Sequence, residues 1–146
     1  MADYKHILLA VDFDQAEILS QKAKAIAEKF NATLSLIHVV DNMPIPDTDY
    51  GLDTALTVDL TGEMIDAAKA QLSDLGKKWG VGQNQQYVEL GSPKFEITRI
   101  SEENQVDLIG VGSHGRHGLA LLLGSTSNGV LHHAKCDVLA VRLKDD

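Results

Sequence analysis

Cysteine is nearly absent from the 146 residues: Cys136 stands alone, so an internal disulfide and a multi-cysteine metal centre are both excluded. That usage fits a reducing compartment, and Cys136 reads as a small packed residue rather than a reactive thiol. Positive charge is also scarce, with 13 Lys and Arg against 21 Asp and Glu and a formal net charge of -8. Binding to a phosphate backbone needs a broad basic surface, so nucleic acid is not an expected partner. No apolar run approaches the roughly 20 residues that span a bilayer. The segment Met1-Ala2-Asp3-Tyr4-Lys5-His6 lacks the basic-then-apolar layout of a signal peptide, and a cytoplasmic location is the expectation. Fixed-period repeats, low-complexity tracts and long runs of like charge are missing too. A chain of this length buries one sizeable core but hardly two, and residues 1–146 are read as a single domain.

What is present is an alternation of two patterns. His6-Ile7-Leu8-Leu9-Ala10-Val11 is a short apolar run of the kind that forms a strand buried on both faces, and it stops at Asp12. Residues 16–30 then carry Leu19, Ala23, Ile26 and Phe30 on one helical face. Residues 33–40 return to a strand pattern. Asp41 to Ala55 breaks all periodicity with Pro44, Pro46, Gly51 and several aspartates, and is expected to be a connector. Leu60, Met64, Ala68, Leu72, Leu75 and Trp79 form a second helical stripe, with Met64 and Trp79 expected in the core. A weaker strand over 85–90 leads to Gly91-Ser92-Pro93, where Ser92 suits a helix cap and Pro93 the first turn. The third helix is expected to end near Asn104, followed by a strand over 107–111, a helix over 125–134 and a strand over 137–141. This β-α-β-α-β-α-β-α-β order predicts an α/β fold: an open, mostly parallel five-stranded sheet with helices on both faces.

Ligands of such sheets bind beyond the carboxyl ends of the strands, where the strand order reverses. Asp12, residues 39–41 and Gly112 are expected on that rim. The segment from Gly112 to Asn128 is the informative one. Gly112 and Gly115 leave room for close approach to the backbone, His114, Arg116 and His117 can add charge or donors with Ser113 also among the expected ligand residues, and Gly124 precedes a helix opened by Ser125 and Thr126. Unsatisfied N–H groups and the helix dipole favour an anion such as phosphate there. An ordinary turn and N-cap would use the same residues, but glycines at both ends of one crossover, directly after a strand, favour a ligand loop. There is no Gly-Lys-Ser or Gly-Lys-Thr and no G-x-G-x-x-G after the first strand, which disfavours a P-loop NTPase and a dinucleotide dehydrogenase.

At these residues the chain resembles the nucleotide-binding branch of the universal stress protein family. The family pattern is G-x-x-G, a spacer, then G followed by Ser or Thr. Here Gly112-x-x-Gly115 is followed by eight residues and Gly124-Ser125, one residue fewer than the family spacer. Residues 7–12, 36–40, 91–93, 106–109 and 136–141 also look like that family. The resemblance implies a Rossmann-like, adenine nucleotide alpha hydrolase-like fold that binds ATP, or ADP or AMP, as a regulatory or signalling module in the stress response. It implies that Asp12 lies near ribose and phosphates, that the Val39 backbone meets the adenine, that Gly112 and Gly115 line the ribose and phosphate path, and that Gly124, Ser125 and Thr126 cradle the terminal phosphates.

Asp12 has a plainer reading as a solvated strand end that caps the next helix; the ligand role is favoured. A magnesium or manganese ion travelling with the nucleotide would take Asp12 as its carboxylate. His114 and His117 lack a third ligand and do not make a zinc site by spacing. Hydrolysis needs a group that orients water as well as a cation, and only the cation has a candidate, Arg116, so any ATPase activity is expected to be slow. The last strand is apolar and expected at a sheet edge, where it would invite pairing. The resemblance implies a homodimer through it, with Val141→Lys expected to weaken the pair.

Overall fold

The computed structural model describes residues 3–13, 16–41, 54–114 and 125–143, with residues 41, 54–60, 113, 114, 125 and 143 described by their backbone. Five strands are present among them: β1 (His6–Ala10), β2 (Thr33–Asp41), β3 (Gln86–Gly91), β4 (Leu108–His114) and β5 (Asp137–Leu143). Four helices alternate with them: α1 (Ala16–Phe30), α2 (Thr54–Trp79), α3 (Pro93–Glu103) and α4 (Ser125–His133). The strands form one sheet in the order β3-β2-β1-β4-β5, and every neighbouring pair is parallel. The predicted architecture is therefore observed, with β1 at its centre.

Side-chain parity explains why β1 is apolar throughout. Ile7 and Leu9 point to one face, where they meet Leu19 and Ala23 of α1, Leu36 of β2 and Leu72 of α2. Leu8 points to the other, among Ile37, Ile109, Val111, Ile97 and Ile100 of α3, and Val130 of α4. A strand covered on both sides has no solvent face to mark with polar residues. Each such Leu or Ile, fully buried, contributes about 1.5–3 kcal/mol.

Three helices end in the same way. Asn31, Gly80 and Gln105 take left-handed φ values of 54°, 73° and 56°. The next residue's N–H then reaches back five positions: Ala32 to the Ala27 carbonyl at 2.8 Å, Val81 to Gly76 at 2.8 Å, and Val106 to Ser101 at 2.9 Å. This closure satisfies a terminal carbonyl and turns the chain into the following strand or strand approach.

The amino ends of the strands are pinned by side chains. One oxygen of Asp107 accepts the N–H groups of Lys5 and His6, both at 2.9 Å. His6 Nδ1 donates to the Asn104 carbonyl at 3.2 Å, and its Nε2 is hydrogen-bonded with the buried Ser35 hydroxyl at 2.6 Å. These contacts lock β1 to β2 and to the approach of β4.

Several expectations are corrected. Helix α2 begins at Thr54, inside the stretch read as a connector; residues 42–53 of that stretch lie outside the described residues. Met64 is 52% exposed, whereas Ala68 and Leu72 further along α2 are buried and Trp79 rests against the core as expected. Phe30 is also largely exposed and packs edge-on against Tyr4 at 5.2 Å. Ser92 occupies the N-cap position of α3 with Pro93 behind it, but its hydroxyl makes no capping bond; its carbonyl accepts from Phe95 and Glu96. The Cys136 thiol is half-buried beside the core, and burial first, then the Asp137 carboxylate, push its pKa above the usual thiol value. That agrees with a packed rather than reactive residue.

Val141 requires the most consequential correction. It lies on the edge strand, as expected, but only 5% of it is exposed, and it packs into the α1 side of the core. A lysine there would carry an unpaired charge into apolar surroundings, at a cost of several kcal/mol. Val141→Lys is therefore expected to lower the thermal unfolding midpoint sharply, checked by circular dichroism. A variant as stable as the parent would show that the β5 side chain faces outward after all.

Candidate functional site

The order of the sheet reverses beside β1: the chain passes from β1 outward through β2 to β3, then crosses back to β4 on the other side. Helices consequently leave the carboxyl ends of β1 and β4 towards opposite faces, opening a crevice between those two strand ends. The register Leu9↔Gly110 brings the strands together closely, and a Cβ at Gly110 would stand 3.0 Å from Leu9 Cδ1. Each strand then runs on to its rim residues, Asp12 after β1 and Gly112 within β4.

Asp12 is exposed at this rim and engaged in an interaction of its own. Val39 lies at the carboxyl end of β2, paired with Glu89, and packs half-buried on the α3 and α4 side. Gly112, Ser113 and His114 belong to β4 rather than to a loop, which corrects the expected end of that strand at residue 111. They extend the ladder because Val141, Arg142 and Leu143 of β5 pair with them in register. Thr126 is in the first turn of α4 and half-buried, and the Ser125 backbone opens that helix. Gly115, Arg116 and Gly124, with His117 between them, lie outside the described residues.

Two features of the rim were not singled out from the sequence. Ser127 is buried, and its Oγ donates to the Gly112 carbonyl oxygen at 2.6 Å. This bond ties the first turn of α4 to Gly112 near the end of β4, so the amino end of the helix starts beside Gly112. No acidic residue occupies that first turn, and the local field favours an anion. The Ser-Thr-Ser run advertised hydroxyls, but nothing in it said which one faces inward. The second feature is His38, whose Nδ1 donates to the Val11 carbonyl at 2.9 Å and whose ring packs on Phe13 at 4.4 Å between centroids.

Among the described residues no three His, Cys, Asp or Glu side chains gather as a metal site. Two open grooves elsewhere, about 370 Å³ beside Tyr4, Phe30 and Asp137 and about 290 Å³ beside Leu72 and Gln86, do not include the rim residues. No helix among the described residues is long and apolar enough to cross a membrane.

The profile of the universal stress protein family matches residues 3–142. The chain is similar to universal stress protein A homolog 2 of Coxiella burnetii, 44% identical over 146 residues, with 99% of each chain covered. It is 36% identical over 145 residues to homolog 1 of the same organism, covering 97% of this chain and 99% of that one. Among solved structures, UspA from Lactobacillus plantarum superposes with a TM-score of 0.76 at 28% identity, covering 97% of this chain and all of the other. A universal stress protein solved in complex with cAMP shares the fold, with a TM-score of 0.65 at 20% identity and coverage of 97% and 98%.

The Ser127 bond yields a direct stability test. Removing the hydroxyl leaves the Gly112 carbonyl without this donor, which costs about 1–3 kcal/mol at a buried site. Ser127→Ala is expected to lower unfolding free energy by that amount in urea titration, with an unchanged denaturant slope. A shift below about 0.5 kcal/mol, the range typical of a surface substitution, would show that the tie is not formed in solution.

Proposed function

The chain belongs to the universal stress protein family, and from that membership we propose that it is an adenine-nucleotide-binding regulatory module of the stress response, taking ATP at the carboxyl ends of β1, β2 and β4. The observation that carries this reading is the crevice at the strand-order reversal, with Asp12 on one wall and Gly112, tied to the start of α4, on the other. In the proposed complex Asp12 meets ribose or the phosphate-bound magnesium or manganese, and the Val39 backbone meets the adenine. Gly112 and Ser113 border the sugar and phosphates with His114, Gly115 and Arg116 beyond them, and Gly124, Ser125 and Thr126 receive the terminal phosphates.

ATP acts here by stabilising one state of the loop from Gly112 to Ser125, which a ligand does only through differential affinity. No residue is assigned as a water-orienting base, so turnover is slow at most. The protein works in the cytoplasm as a homodimer. Support for the dimer comes from β5, an edge strand that pairs only with β4 among the described residues and has exposed Ala140 and Arg142.

Denaturing extraction with mass identification of any co-purified nucleotide, followed by calorimetric titration with ATP, ADP, AMP and cAMP in magnesium, tests the site. The cyclic nucleotide is included because a protein of the same fold was solved with it. ATP is expected to bind, Asp12→Ala to weaken it about tenfold, and Gly115→Val to abolish it. Recovery of ADP would instead point to a slow ATPase. No nucleotide and no binding at millimolar ATP would overturn the reading in favour of a nucleotide-free interaction protein, the outcome that the shorter spacer between Gly115 and Gly124 would then explain. Sedimentation velocity is expected to give the dimer; a monomer at micromolar concentration would remove the β5 interface.

A further inference from the structure

We propose that His38 is the positioning residue for Asp12, fixing the carboxylate that faces the nucleotide; this rests on the nucleotide reading above. The two neighbours of Asp12 are both held by this one imidazole. Val11, immediately before it, gives its carbonyl to His38 Nδ1 at 2.9 Å, and Phe13, immediately after it, lies against the ring with 4.4 Å between centroids and 35° between planes. A carbonyl oxygen only accepts, so Nδ1 carries the hydrogen.

The geometry matters because regular pairing of β1 stops at Ala10. One more main-chain bond, from Val11 N–H to the Ile37 carbonyl at 2.9 Å, follows it. Beyond that bond the chain has left the ladder, and the residues on either side of Asp12 are held by a side chain of β2. That side chain is His38, on a strand registered against both β1 and β3. Val39, the next residue along, is the one assigned to adenine. One short stretch of β2 thus sets the adenine wall with Val39 and the place of Asp12 with His38. A carboxylate that must meet a ligand group within hydrogen-bond tolerance gains from a support of this kind.

The experiment is a double-mutant cycle on the full chain, read as the ATP dissociation constant by calorimetry, with circular dichroism confirming that each variant is folded. His38→Leu, which removes donor and ring, is expected to weaken ATP about tenfold when Asp12 is present and less than about twofold in the Asp12→Ala background. His38→Asn, whose amide nitrogen stands near the Nδ1 position, is expected to restore most of the affinity. Equal weakening in both backgrounds, or none in either, would overturn the proposal, since a general structural role acts without Asp12. Should His38→Leu not fold, the pair His38→Asn and His38→Gln decides: the shorter amide keeps ATP affinity and the longer one loses it, and the reverse order overturns the proposal. A parent protein that binds no nucleotide overturns both this inference and the function it rests on, whereas parent binding with uncoupled losses overturns this inference alone.

Discussion

The parallel pairing of β1 on both of its edges is the constraint on which the rest of this molecule depends. Each parallel neighbour requires a crossover through a helix, and β1 has one neighbour, β2, reached directly and another, β4, reached only after the chain has built the other half of the sheet. Until β4 arrives, one edge of β1 has no partner. The arrival is therefore pinned: Asp107 accepts two N–H groups from the residues that lead into and begin β1, and the His6 ring joins Asn104 to Ser35 across the same end. With register fixed at the amino ends, α1 and α4 leave the carboxyl ends of β1 and β4 towards opposite faces, and a crevice forms there as a consequence of topology.

The carboxyl ends are restrained differently. Both walls of the crevice use a side chain that donates to a main-chain carbonyl from a neighbouring element: His38 to Val11 on the β1 side, and Ser127 to Gly112 on the β4 side. Val11 lies just past the last β1 pair, and Gly112 lies past the last pair of β4 with β1 while β4 still pairs with β5; a carbonyl left without a partner would cost free energy if kept from water. The Ser127 contact also holds the first turn of α4 beside Gly112, and the His38 contact holds the residue before Asp12. Satisfying the backbone and shaping the rim are thus one physical event.

Most of the fold was legible because its signals are local. Periodicity of the strand and helix runs depends only on residues within one element, and the α/β alternation follows from their order. What was not legible depends on partners far along the chain. The last three residues of β4 pair because β5 lies alongside, and a glycine-containing run of this kind otherwise reads as loop. Val141 carries no mark of which face it takes, and its burial follows from the register with Gly112. Met64 fits a helical stripe as well as Ala68 does, yet Ala68 is buried and Met64 is exposed. Of the candidate site, the positions of Asp12, Val39, Gly112 and Thr126 at one rim followed from topology. His38 did not, because a histidine within an apolar strand declares nothing until its partner, Val11, is placed beside it.

This division bears on how such a site achieves affinity. Residues that touch a ligand tend to carry chemical labels in sequence, such as a carboxylate after a strand or hydroxyls at a helix start, whereas residues that hold them in place do not. Part of the cost of binding lies in ordering flexible groups, and in the proposed site an Asp12 whose two neighbours are held by His38 has part of that ordering done beforehand. The two carbonyl ties have opposite dependencies, one running from a strand to the tail of β1 and the other from a helix to the end of β4. In the proposed site the placement of both walls thus rests in part on bonds that do not themselves touch the ligand.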